Sequence, residues 1–165
     1  MPKLLVQRFA ADSISQFRIA AVVRDQDAER LATGGHHAAA IYLWGYVAEM
    51  TLKAAWFALI GFQQHQAITV SDLNWARTSA KQSRIPWPGN FHALENWASL
   101  LVQYRITLKG PYPDPKFGDN VLLHSRRVYA RWRETLRYKK NRAHPAAAKV
   151  VRDSARWLLY NSRRL

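Results

Sequence analysis

Between Ile41 and Phe62 the chain carries Glu49, Thr51 and Lys53 as its clearly polar residues, and the rest of the stretch is almost entirely apolar. Such a run is long enough to span a bilayer. Glu49 and Lys53 fall near its middle, however, and each would cost roughly 2.5–3.5 kcal/mol at the centre of a membrane. They are four residues apart with the acid first, the favourable order for an ion pair along a helix. The run therefore predicts a helix from about His36 to Ile60, closed by Gly61 and roughly 38 Å long, with Glu49 and Lys53 as its structural pair. A helix apolar nearly all round is buried by other helices, which makes this one the centre of a bundle and excludes a membrane partner.

Proline divides the remainder. Pro2, Pro86, Pro88, Pro111, Pro113, Pro115 and Pro145 leave proline-free stretches at 3–85, 89–110, 116–144 and 146–165, and helices are confined to such gaps. Ala and Leu together number 41 against 23 for Val, Ile and Thr, a balance that favours helix over sheet. A first helix starts near Asp12 or Ser13, buries Ile14, Phe17, Ala21, Ala28 and Leu31, and ends at Gly34-Gly35. Ser71 and Asp72 could cap a short helix through Lys81. A third long helix runs from about Asn90 to Leu108, with Leu94, Trp97, Leu101, Tyr104 and Leu108 inward. The segment Gly110–Gly118 reads as a stiff loop in which no helix forms. A fourth helix runs from about Asn120 to Lys140 with Leu122, Tyr129, Trp132 and Leu136 inward. Pro145 suits the first turn of a fifth, which buries Ala147, Val151, Ala155 and Leu158. The expected fold is all-α: one domain over residues 1–165, an antiparallel bundle of about five helices.

The chain has no cysteine, which excludes disulfide scaffolds, Cys-based zinc and iron–sulfur sites and thiol catalysis. No phosphate-cradling glycine motif is present. The N-terminus shows no signal peptide, and a cytoplasmic location is expected. The net charge of +14 is concentrated: residues 120–165 hold 13 basic and 2 acidic side chains, whereas residues 1–100 hold 9 and 7. Arg126, Arg133, Arg137 and Lys140, spaced 7, 4 and 3, would form one stripe on the fourth helix, with Arg127 and Arg131 beside it. Arg outnumbers Lys 17 to 8, which suits bidentate phosphate contact. The pattern predicts a polyanion partner, RNA, with Tyr138 and Tyr160 as possible stacking platforms. An acidic protein partner and a merely solvated face are the alternatives.

The string Ala48-Glu49-Met50-Thr51-Leu52-Lys53-Ala54, on a long apolar helix, resembles HEPN domains (higher eukaryotes and prokaryotes nucleotide-binding). Asp27–Ala32 followed by a Gly pair and His36-His37-Ala38-Ala39 is similar to that family's first helix and turn, and Phe91-His92-Ala93-Leu94 to the entry of its third helix. The resemblance covers about residues 25–165. It implies an all-α bundle forming two-fold homodimers, and in many members a metal-independent endoribonuclease, a toxin neutralised by a nucleotidyltransferase-like antitoxin. Other members have lost catalysis and only bind. Catalytic members carry Arg, four to six residues, then His near the last core helices. Arg137 and His144 fit with six residues between them at the fourth–fifth helix junction, and the resemblance implies them as the catalytic pair.

In such a site His144 would accept the proton of a ribose 2′-OH as that oxygen attacks the adjacent phosphate, an imidazole titrating near neutrality. Arg137 would stabilise the charge on the phosphate. Lys139, Lys140 and Arg142, with Arg126, Arg127 and Arg133, would hold the strand. No cofactor or metal is implied. His36-His37 lacks further ligands at metal-binding spacing and reads as a cap or surface pair. His65, His92 and His124 are single, and Asp114 reads as a turn residue. The non-catalytic alternative is a HEPN-like RNA-binding or protein-interaction module using the basic face of residues 120–165.

Overall fold

The computed structural model describes residues 12–87, 91–138 and 143–165, with the backbone alone at Arg137 and Tyr138. Among them are six α-helices and no strand: α1 (Ile14–Thr33), α2 (His37–Leu59), α3 (Val70–Gln82), α4 (Leu94–Lys109), α5 (Lys116–Tyr129) and α6 (Pro145–Tyr160), with a 3₁₀ turn at Glu134–Tyr138. The all-α expectation holds, and the limits of α1, α2 and α6 fall close to where the sequence puts them. Ser13 caps α1 by accepting a hydrogen bond from the Gln16 amide at 3.2 Å. Pro145 occupies the first turn of α6, where its missing N–H leaves no partner unmet.

α2 is the core. It packs on α1, α4, α5, α6 and the 3₁₀ turn, and its buried residues, Ile41, Trp44, Val47, Leu52, Trp56 and Phe57 among them, point to all sides. A helix enclosed in this way needs no polar face. No helix among the described residues is long and apolar enough to cross a membrane.

Four expectations are corrected. The helix expected through Lys81 is present as α3, but Thr69 caps it rather than Ser71 or Asp72. The Thr69 hydroxyl accepts from the Asp72 amide while the Asp72 carboxylate accepts from Thr69, a reciprocal box that holds the Asp72 carboxyl below its usual value. The third predicted helix starts at Leu94, and Leu108 near its end is 56% exposed. The proline loop stops short of Gly118: α5 begins at Lys116, whose amide donates to the Asp114 carboxylate at 3.0 Å. Nothing forbids this, because the last proline stands at the cap position, outside the hydrogen-bonded turns.

The fourth correction matters most. The predicted helix from Asn120 to Lys140 ends at Tyr129 and gives way to a turn and the 3₁₀ segment. Trp132 anchors the chain just beyond this end. Its indole is fully buried against Gly45 of α2, and its Nε1 donates to the Tyr42 carbonyl at 3.0 Å. That docking fixes the path of the turn after Tyr129. Arg126, Arg133 and Arg137 therefore do not form one helical stripe, and Lys140 lies outside the described residues.

The notch reverses the usual effect of replacing a mid-helix glycine. Ala for Gly normally stabilises a helix interior by about 1 kcal/mol. At position 45 a Cβ would overlap the Trp132 indole, so Gly45→Ala is expected to destabilise by about 1–3 kcal/mol. Urea unfolding of the variant measures this, and a raised midpoint would contradict the docking.

Candidate nucleic-acid interface

The candidate interface is the end of the bundle where α5 hands over to α6. Arg126 and Arg127 sit in the last turn of α5, where a cation also complements the carbonyl end of the helix. Arg126 is 73% exposed and faces Glu95 of α4 at 3.6 Å, an open pair of little energetic weight. Arg127 and Arg131 are exposed, and the Arg131 guanidinium donates to the Arg127 carbonyl at 3.3 Å. Arg133 lies with its guanidinium carbon 3.5 Å from the centre of the Tyr129 ring and donates to the Trp132 carbonyl at 2.6 Å. Among the described residues no carboxylate comes within ion-pairing distance of Arg127, Arg131 or Arg133. All three are open to water, and neutral groups hold Arg131 and Arg133 in place.

Elsewhere the same basic excess is neutralised internally. Asp25 of α1, nearly buried, accepts from the Trp44 indole at 2.9 Å and from Arg156 Nε at 2.9 Å. Arg156 also reaches Glu29 at 2.9 Å, and Arg152 lies 3.8 Å from Glu29. Two α6 arginines are thus committed to α1. The sequence carried a signal for this pairing: Asp25 and Glu29 are four apart, as are Arg152 and Arg156, so each pair shares a helix face.

Of the residues singled out from the sequence, Lys139, Lys140 and Arg142 lie outside the described residues. The backbone of Arg137 lies in the 3₁₀ turn. Tyr160 is exposed but sits at the far end of α6, away from the junction. His144 is exposed and caps α6: its Nδ1 accepts from the Ala146 amide at 3.2 Å. An accepting Nδ1 leaves the proton of the neutral ring on Nε2. In this arrangement His144 offers a donor to whatever meets the end of α6, and the cap by itself accounts for a polar residue before Pro145. Beside it, a cavity of about 250 Å³ between the end of α1 and the start of α6 is lined by His37, Pro145 and Lys149, among others. No metal-binding group of His, Asp and Glu exists among the described residues.

Under the junction lies a buried ionic cluster. Glu49 is 4% exposed and Lys53 7%. They pair at 2.5 Å, and the other Glu49 oxygen meets His92 Nδ1 at 2.8 Å. Tyr46 stands edge-on to both His92 and Trp132. The pair Glu49–Lys53 was legible; its third member was not, because a single histidine before a helix has many uses. The hydrogen bond to Glu49 raises the His92 pKa, partial burial and Lys53 oppose it, and Glu134 of the 3₁₀ turn adds to the rise.

Comparison with protein-family models, with curated proteins and with solved structures finds no match to this chain.

The raised His92 pKa has a definite sign in stability. The folded form holds the imidazole proton more tightly than the unfolded chain, so the contribution is complete below the ordinary histidine value of 6.5 and is lost as pH rises through the folded value. The difference in urea midpoint between the wild type and His92→Gln should shrink as the pH is raised from about 6 toward 8. A difference that stays constant or grows over that range would show that His92 is not the proton-holding partner of Glu49.

Proposed function

We propose that this chain is a HEPN-like helical protein that binds RNA through the basic surface at the α5–α6 junction. The observation that carries the reading is the contrast in charge pairing: Arg152 and Arg156 are matched by carboxylates of α1, whereas Arg127, Arg131 and Arg133 are exposed and have no carboxylate partner among the described residues, Arg131 and Arg133 being held by backbone carbonyls and the Tyr129 ring. Guanidinium groups fixed by neutral acceptors keep their full charge and give up little freedom on meeting a phosphate. Tyr129, with Arg133 over it, presents a stacked guanidinium face suited to an unpaired base. An RNA strand fits this surface better than an acidic protein, because the cations are arginines on a short irregular segment and not a regular helical face. The homodimer and the nucleotidyltransferase-like antitoxin implied by the resemblance belong to this reading.

RNA cleavage by Arg137 and His144 is a second reading, favoured by the placement of His144. An exposed imidazole at the positive end of α6, beside a basic surface, meets a phosphate directly. In this reading the ring leaves its cap: His144 takes the 2′-OH proton as the 2′-oxygen bonds to phosphorus, and the imidazolium so formed returns a proton to the departing 5′-oxygen as the P–O5′ bond breaks. While Nδ1 is engaged by the Ala146 amide, the neutral ring offers only a hydrogen bond from Nε2 to a phosphate oxygen. Arg137 would stabilise the phosphorane charge. No metal takes part in this scheme.

Binding of a single-stranded RNA oligonucleotide should weaken steeply with salt. Arg127→Gln, Arg131→Gln and Arg133→Gln should each lower the magnitude of the log–log salt slope by about 0.7 per lost phosphate contact, and Arg152→Gln should leave it unchanged. Undiminished affinity in the triple variant would overturn the interface, and tighter binding of polyglutamate than of RNA would assign it to an acidic protein. In EDTA, cleavage by the wild type that is lost in His144→Asn, which keeps a capping side chain, supports the second reading. Absence of cleavage across varied RNAs leaves the chain a binder only.

A further inference from the structure

At the opposite end of the α5–α6 pair, the start of α5 and the end of α6 meet α2 and α4 around a cavity of about 380 Å³. α5 and α6 are each about 20 Å long, so this cavity is about that far from the basic junction and is independent of the function proposed there. Five cations line it: Arg18, Arg105, Lys109, Arg163 and Arg164. Asp114 is the one acidic side chain in the lining, and it already accepts from the Lys116 amide.

These cations are not neutralised by each other's neighbours. Arg18 donates to the Gln64 side chain at 3.0 Å, Arg164 to the Asn161 side chain at 3.1 Å, and Arg105 to the carbonyls of Gly110 and Pro111. Arg105 also lies over Tyr112 and Arg164 over Phe117, with guanidinium carbons 4.5 and 4.3 Å from the ring centres. Each is oriented by neutral groups, so its charge is intact. Lys109 and Arg163 have no ion-pair or hydrogen-bond partner among the described residues. The apolar part of the lining comes from Ala58, Leu59 and Pro113, while the Phe117 ring lies closed off beneath Arg164.

A dense positive field, arginines fixed for bidentate contact and an apolar wall in a volume suited to a small molecule specify one ligand chemistry. We propose that this cavity binds a small organic phosphate monoester, with its dianionic head on Lys109 and Arg163 and its apolar part against Leu59 and Pro113. A single-stranded nucleic acid would need an open track and not an apolar wall.

Isothermal titration of the full chain with phenyl phosphate, inorganic phosphate and phenol tests the assignment. Phenyl phosphate should bind more tightly than inorganic phosphate, and phenol should not bind. Lys109 and Arg163 are both exposed, so the double variant Lys109→Gln/Arg163→Gln should fold and lose roughly tenfold or more in affinity. Arg133→Gln at the far end should bind phenyl phosphate unchanged. No heat at millimolar phenyl phosphate, equal affinity for inorganic phosphate, or full affinity in the double variant would each overturn the proposal. Competition of a short RNA with phenyl phosphate would overturn it too, by assigning the cavity to the nucleic acid.

Discussion

A carboxylate buried in the middle of the central helix fixes much of what surrounds it. Glu49 cannot stay charged at 4% exposure without partners, and it has two: Lys53 one turn along α2, and His92 at the entry to α4. Lys53 in turn lies 5.6 Å from the centre of the Trp97 ring on α4. Removing one member of a buried ionic group typically costs about 3–5 kcal/mol, because the remaining charge is left unpaired. The cluster ties the middle of α2 to the entry of α4 and to Trp97. Tyr46, one turn before Glu49, touches both His92 and Trp132, so the same stretch of α2 that holds the carboxylate also receives the indole that follows α5.

That indole links core to surface. With Trp132 docked on Gly45, the chain leaves α5 and spreads its arginines over a turn and a 3₁₀ segment instead of winding them round a helix. Glu95, opposite Arg126, and Glu134, in the 3₁₀ segment, are the acids near them among the described residues. Asp25 and Glu29 on α1 hold Arg156 and Arg152, while Glu49 is spent on the buried cluster. The result is a molecule with a neutralised waist and two cationic poles, one open at the α5–α6 junction and one lining a cavity about 20 Å away. Open arginines suit an extended polyanion; an enclosed set with an apolar wall suits a small one.

The parts of this arrangement that depend on local chemistry could be read directly from the residues. Ser13 and the Gly34-Gly35 pair bound α1 because capping and chain reversal need only near neighbours, and the apolar run around Glu49 announced the central helix. The break after Tyr129 could not be read the same way. The spacing of Leu122, Tyr129, Trp132 and Leu136 fits a continuous helix, and the docking of Trp132 on the distant notch at Gly45 leaves no mark in that spacing; a glycine in the middle of an otherwise apolar helix was the available hint. Thr69 was hidden by better-known cap candidates two and three residues later. At the site, the basic excess and its location were legible, but which arginines remain unpaired was not, since Asp25 and Glu29 reach across from a helix more than a hundred residues away in sequence. His144 was legible as a residue before a proline-started helix, and the direction of its hydrogen bond was not.

The central claim is that the surface held by Trp132 is where RNA lies. Amide hydrogen exchange of the full chain with and without a saturating single-stranded RNA addresses it most directly. The account predicts new protection confined to the end of α5, the turn and 3₁₀ segment through Tyr138, and the first turn of α6. Protection spread evenly over the bundle, or centred on the cavity between Arg105 and Arg164, would contradict it.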